Sequence, residues 1–189
     1  MALSDVFASN IFVRWLRGDP NKYQLPVAII SVRMGHRLLA LGAGEPALTA
    51  ALAKITGLSG GAQAYAPDAA GAARLEAAAA EAGILLDVTY GPPAPLPFTD
   101  GALDIVVLDA VGSPPEADMN EVRRVLRPGG RVVAVTRTKP PGGPAVDALQ
   151  AAIQTAFRAA RVLADRDGWA FVEALKPGDA GGGAEAQAS

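Results

Sequence analysis

The feature that most constrains this chain is a short apolar run, Leu38-Leu39-Ala40-Leu41, that passes straight into Gly42-Ala43-Gly44, after which Glu45-Pro46 opens a helix running to about Thr56. A strand over Arg37 to Leu41 with apolar residues at both parities must be buried on both faces, as in a parallel sheet. Pro46 stands where a missing N–H costs least, at the start of the helix. Glycines let backbone approach a ligand closely, and the helix behind them presents free N–H groups. Strand, glycine loop and helix in sequence read either as a ligand-facing corner of a doubly wound α/β fold or as a plain tight turn.

The rest of the chain repeats the alternation. Tyr23 to Val32 is expected to be helical, Gln63 to Ala66 a short strand, Ala69 to Ala82 an alanine-rich helix closed by Gly83, and Ile84 to Tyr90 a third strand. A proline-rich linker leads to Leu103 to Leu108, a continuous apolar run. Glu116 to Leu126 reads as an amphipathic helix stopped by Arg127-Pro128-Gly129-Gly130, and Arg131 to Thr136 as the fifth strand. Val146 to Ala159 reads as helix. Arg161 to Ala164 and Trp169 to Leu175, joined by Asp165-Arg166-Asp167-Gly168, read as a hairpin that ends the sheet with an antiparallel strand. The expectation is an α/β, doubly wound, seven-stranded, mostly parallel sheet with a C-terminal antiparallel hairpin strand.

The chain organises into an N-terminal helical segment over 1–34, one α/β domain over 35–175 and a small-residue tail over 176–189. Leu3 to Leu16 is expected to be a helix with Phe7, Phe12 and Trp15 on one side. It reads either as a lid over the ligand crevice or as a contact with a membrane surface or another subunit. A formal charge of −2, with no run of Lys and Arg, argues against nucleic acid as the main partner. No cysteine and a single histidine argue against thiolate or histidine metal centres. The first residues lack a signal-peptide pattern and no apolar stretch reaches spanning length, so the expected setting is cytoplasmic and not transmembrane.

Three segments then carry a resemblance: Leu38 to Glu45, Leu96-Pro97-Phe98-Thr99-Asp100-Gly101-Ala102-Leu103-Asp104-Ile105-Val106-Val107, and Glu121 to Val132 with its Leu-Arg-Pro-Gly-Gly turn. In order and spacing they resemble the class I S-adenosylmethionine (SAM)-dependent methyltransferase family, over roughly Gly35 to Leu175. The resemblance implies a Rossmann-like methyltransferase fold and SAM as cofactor. It also implies a glycine loop, Leu41, Gly42, Ala43, Gly44 and Glu45, facing the aminocarboxypropyl part of SAM, with Ala66, Pro67, Asp68, Leu96 and Asp109 around the rest of the cofactor.

This sequence departs from the family where carboxylates are expected. The position two residues before the first loop glycine is Ala40, the ribose-binding position at the end of the second strand is Ala66, and the adenine-side position falls near Pro92. Asp109, just past the fourth strand, is the candidate catalytic residue, orienting an acceptor or taking its proton. Its other reading is a turn carboxylate bonded to backbone N–H groups. Tyr23 reads as a pocket cap or a half-buried packing residue, and His36 as a solvated turn residue at the sheet's amino edge. Asp104 reads as a turn holder, and Arg123, Arg124 and Arg127 as a solvated helix end.

Three functions follow from these residues. The first is a SAM-dependent methyltransferase acting on an unidentified small-molecule acceptor. The second, motivated by the missing carboxylates, is a methyltransferase-like protein without turnover that serves as a binding or accessory subunit of a larger complex, at a membrane or away from one, with a protein partner. The third is a nicotinamide-dependent oxidoreductase, which shares Gly-x-Gly after a strand but lacks support from a third glycine.

Overall fold

The computed structural model describes residues 22–57, 59–113, 116–139 and 143–178. The expected helix over Leu3 to Leu16 and the tail beyond Gly178 lie outside the described residues. Twelve elements follow: α1 (Gln24–Ile30), β1 (Arg37–Leu41), α2 (Pro46–Thr56), β2 (Gly61–Ala66), α3 (Ala69–Ala82), β3 (Asp87–Tyr90), β4 (Leu103–Asp109), α4 (Met119–Val125), β5 (Leu126–Arg137), α5 (Val146–Gln154), β6 (Ala160–Arg166) and β7 (Trp169–Leu175).

The strands form one seven-stranded sheet in the order β3-β2-β1-β4-β5-β7-β6. Pairings from β3 through β5 are parallel, whereas β7 runs antiparallel to both β5 and β6. The antiparallel strand therefore inserts between its neighbours, and β6 holds the edge. Asp167 and Gly168, both at positive φ, make the two-residue turn that delivers β7 back along β6.

Both faces of the sheet are covered, which explains the unbroken apolar runs. Leu39, Leu41, Val106, Leu108 and Val132 pack with Val122 of α4 and with Leu149 and Ile153 of α5. Leu38, Ile105, Val107 and Val133 face the other way, with Ile30 of α1 and Leu48 and Leu52 of α2. Beside them Ala40, Ala64 and Ala66 meet Ala72 and Leu75 of α3. The small side chains have a consequence: α3 lies so near β2 that a Cβ on Gly71 would stand 3.1 Å from the Ala66 methyl and 3.3 Å from that of Ala43.

Several boundaries differ from the sequence expectation for local reasons. The third strand begins at Asp87, not Ile84, because Gly83 turns left-handed and the Ile84 N–H still bonds the Ala79 carbonyl at the end of α3. Helix α4 starts at Met119 because the Asp118 carboxylate caps it, accepting from the Asn120 N–H at 2.8 Å. Helix α5 stops at Gln154, where the Thr155 hydroxyl donates to the Ala152 carbonyl at 2.7 Å and competes with continued helix. Strand β5 begins at Leu126, which pairs with Leu103 before the register shifts and resumes at Arg131.

Candidate functional site

Strand order reverses between β1 and β4, and in such sheets the crevice outside the carboxyl ends at that point is the usual ligand site. A cavity of about 300 Å³ lies there. Its floor is Leu41, Gly42, Ala43 and Gly44. Tyr65 and Pro67 at the end of β2, Arg74 of α3, and Gly91 and Pro93 after β3 form one wall. The other wall is Val111, Gly112 and Ser113 after β4, followed by Glu116 and Ala117.

The floor is locked by backbone against backbone. Gly42 has φ 103°, donates its N–H to the Tyr65 carbonyl at 2.9 Å, and would place a Cβ 2.6 Å from the Asp109 carbonyl oxygen. A Cβ on Gly44 would overlap the Val111 carbonyl oxygen and stand 2.8 Å from its carbon. The glycines are thus required by the turn after β4. Beyond Leu41 they leave a loop bearing no side chain larger than the Ala43 methyl.

Asp109, the last residue of β4, sits beneath this loop and is 5% exposed. One carboxylate oxygen accepts from the Glu45 N–H at 2.6 Å and the other from the Val111 N–H at 3.1 Å. Burial and the neighbouring Glu45 charge raise its pKa to about 6, while the N–H groups of Glu45, Val111 and Gly44 pull the other way. Its oxygens hold backbone rather than opening into the cavity, so the geometry matches the turn-carboxylate reading of this residue.

Glu45 points away from the cavity. Its carboxylate accepts from Lys22 Nζ at 3.0 Å, from the Tyr23 hydroxyl and from Arg137 at 3.3 Å. The Arg137 guanidinium in turn lies 3.7 Å from the centre of the Trp169 ring, which Tyr23 also approaches. Tyr23 is accordingly half-buried in this cluster and does not line the cavity.

Of the expected cofactor contacts, Leu41, Gly42, Ala43, Gly44 and Pro67 line the cavity, whereas Glu45, Ala66, Asp68, Leu96 and Asp109 do not. Ala66 faces α3 across Gly71, where nothing larger than a methyl fits. Asp68 caps α3, accepting from the Gly71 N–H at 2.6 Å. Leu96 buries its side chain in the core, and its backbone N–H and carbonyl are held by Glu121 at 2.8 Å and Arg124 at 3.0 Å. Arg124 is therefore a clamp on the segment entering β4 rather than a solvated helix end. Arg127 likewise pairs with Asp104, which also accepts from the Arg37 N–H at 2.8 Å and ties the starts of β1 and β5 together. His36 stands in the turn before β1, at the opposite edge from the cavity.

Sequence reasoning missed Arg74, Ser113 and Glu116. The signals existed. Ser113 lies in the turn after β4, and Arg74 lies one turn beyond Gly71 on the helix face that reaches the loop, its guanidinium donating to the Ala43 carbonyl at 3.5 Å. Tyr65 is buried against Phe98, with its hydroxyl donating to the Pro92 carbonyl at 3.0 Å, so it frames the cavity without filling it. Ring-sized apolar walls at Tyr65, Pro67 and Pro93, a Gly-Ala-Gly loop in the floor and the polar groups of Arg74, Ser113 and Glu116 suit a ligand with a flat ring, hydroxyls and a polar tail. The carboxylates expected at Ala40, Ala66 and Pro92 are absent.

A family model described as methyltransferase domain matches residues 39–134. No curated protein sequence matches the chain. Among solved structures the chain is similar to a SAM-dependent methyltransferase from Aquifex aeolicus, with 15% identity, 88% of this chain and 98% of that chain covered, and a TM-score of 0.64. It is similar also to a SAM-dependent O-methyltransferase from Thermotoga maritima, with 20% identity, 84% and 65% covered, and a TM-score of 0.62. A T. thermophilus 16S rRNA methyltransferase in complex with AdoMet and guanosine is 20% identical, with 81% and 40% covered and a TM-score of 0.59. The seven-stranded sheet with β7 inserted antiparallel is the Rossmann-like fold common to these structures.

Proposed function

The chain belongs to the methyltransferase domain family, and from that premise we propose that it binds SAM in the cavity above Gly42 to Gly44 and transfers the methyl group to a small-molecule acceptor. The observation that carries the reading is the cavity floor: a Gly-Ala-Gly loop at the switch point, held by Asp109 and the Val111 turn. SAM supplies an electrophilic methyl on a sulfonium, so the protein's task is positioning and exclusion of water rather than covalent chemistry. Tyr65, Pro67 and Pro93 would flank the adenine. Arg74, Ser113 and Glu116 would meet hydroxyls and the amino-acid end, replacing bonds that Ala40, Ala66 and Pro92 cannot make. In-line transfer needs no dedicated base, so the commitment of Asp109 to backbone N–H groups is compatible with turnover.

Calorimetric titration with SAM and with S-adenosylhomocysteine tests this directly. Micromolar binding of both, lost in Gly44→Val, is expected. No heat at millimolar ligand would overturn the enzyme reading and leave a binding or accessory role.

A further inference from the structure

We propose that Asp109 is a positioning residue whose carboxylate sets the glycine loop for the cofactor, so that cofactor affinity follows the ionisation of this side chain. The inference rests on the SAM reading above. It starts from a topological fact: the carboxylate beneath the loop comes from β4, the neighbouring strand. In β1, Ala40, two residues before the first loop glycine, is a fully buried methyl. Asp109 reaches across the switch point and fastens both sides of it, the loop through the Glu45 N–H and its own turn through the Val111 N–H. An ionised carboxylate accepts at both oxygens, whereas a protonated one carries an O–H on one of them. Protonation therefore weakens the bond to one of the two N–H groups. Because a Cβ on Gly42 or Gly44 would strike the Asp109 or Val111 carbonyl, a small movement of this turn displaces the cavity floor.

The surroundings fit such a role. From α2, Glu45 is the ionisable neighbour that opposes a second negative charge, and it is itself held by Lys22, Tyr23 and Arg137 of β5. From the sheet, Leu41 of β1 and Val135 of β5, the latter paired with Asp109, are buried and apolar. The other charged groups near the loop are Arg74 and Glu116, both at the cavity rim. A carboxylate buried beside another carboxylate is unfavourable for stability, and here its charge is met by the loop and turn N–H groups.

The experiment measures S-adenosylhomocysteine affinity by calorimetry from pH 5 to pH 8 for the wild-type chain and Asp109→Asn, together with the amide proton resonances of Glu45 and Val111 in the ligand-free protein. Wild-type affinity is expected to be level at high pH and to weaken toward tenfold per pH unit in acid, in step with the movement of both resonances. Asp109→Asn, which cannot titrate, is expected to bind roughly tenfold more weakly at pH 8 and to show a flat profile, cancelling any titration of the ligand itself. If the variant does not fold, the wild-type affinity and resonance profiles decide alone. Resonances that titrate while affinity stays flat would make Asp109 purely structural and overturn the proposal, leaving the SAM reading intact. Absence of binding at every pH would overturn both.

Discussion

Gly44 and Val111 meet backbone to backbone: a Cβ placed on Gly44 would overlap the Val111 carbonyl oxygen and come within 2.8 Å of its carbon. The neighbouring atoms are main chain at the end of a central strand, so they cannot swing aside. Gly44→Ala must push the turn after β4 outward, at a cost of about 1–3 kcal/mol, and with it the cavity wall. Thermal unfolding should fall by several degrees, and S-adenosylhomocysteine affinity by more than about tenfold. Gly61→Ala is the control. Nothing lies within 4 Å of its added methyl, and that variant should match or slightly exceed the wild-type midpoint.

Glu45 joins the start of α2 to Lys22 and Tyr23 on one side and to Arg137 on the other. Burial alone would raise its pKa, but the bonds from Tyr23 and Lys22 and the charges of Lys22 and Arg137 outweigh it and hold the carboxyl below its usual value. Such a group contributes stability above its unfolded pKa and loses it as pH falls through the lower folded value. Glu45→Gln should therefore cost about 1–2 kcal/mol at neutral pH, and the gap to wild type should close in acid. Urea midpoints at pH 7 and pH 3.5 measure both; an unchanged gap would contradict the assignment.

Asp109 has the opposite sign. Burial, aided by the Glu45 charge, raises it to about 6, so as pH falls the folded state takes up a proton that the unfolded chain takes up only near pH 4. Its contribution is present below the unfolded pKa and lost as pH rises through about 6. Measured against Asp109→Asn, which does not titrate, wild-type stability should improve as pH falls from 7 to 4.5, by about 2 kcal/mol. A difference that is constant over this range would show that Asp109 ionises normally.

Asp104 stands at the other edge of the sheet and isolates stability from binding. Burial would raise it, yet bonds from Arg127 and from the Arg37 N–H and guanidinium hold it at about 2. The Asp104→Asn variant should lose roughly 2 kcal/mol at pH 7. That loss should vanish between pH 4 and pH 2. Calorimetry should find S-adenosylhomocysteine affinity unchanged, because the cavity lies at the carboxyl ends of the strands.

These residues also show what a linear reading can reach. Leu38 to Leu41, Leu103 to Leu108 and Trp169 to Leu175 were legible because apolar runs bounded by glycine or proline admit few other fates. The glycine loop and the doubly wound order followed from them. The polar half of the site was not legible in the same way. Counting along β1 finds Ala40 and no acid, since a carboxylate arriving from β4 is adjacent only once the sheet is assembled. Counting along β2 finds Ala66 and Asp68, but the closeness of α3 turns one into packing and the other into a cap. Arg124, read as solvent-facing from its helix position, is instead captured by the carbonyls of Leu96 and Phe98 and by Glu121 and Asp100. Those partners lie more than twenty residues away except for Glu121.

Tyr65 and Gly91 offer a double-mutant test of the cavity wall. The Tyr65 hydroxyl donates to the Pro92 carbonyl at 3.0 Å and would stand 2.5 Å from a Cβ on Gly91, whereas its ring carbon would stand at 3.5 Å. Gly91→Ala should therefore force a buried phenol aside, costing about 1–2 kcal/mol and weakening S-adenosylhomocysteine binding severalfold. Tyr65→Phe alone should cost about 1 kcal/mol for the lost hydrogen bond. In the Tyr65→Phe background the oxygen is gone and the remaining contact is ordinary, so adding Gly91→Ala should cost little further. The double variant should then be more stable than the sum of the single losses predicts, with a coupling of about 1 kcal/mol from chemical denaturation. Strict additivity would mean that the Tyr65 hydroxyl is not what holds position 91 to glycine.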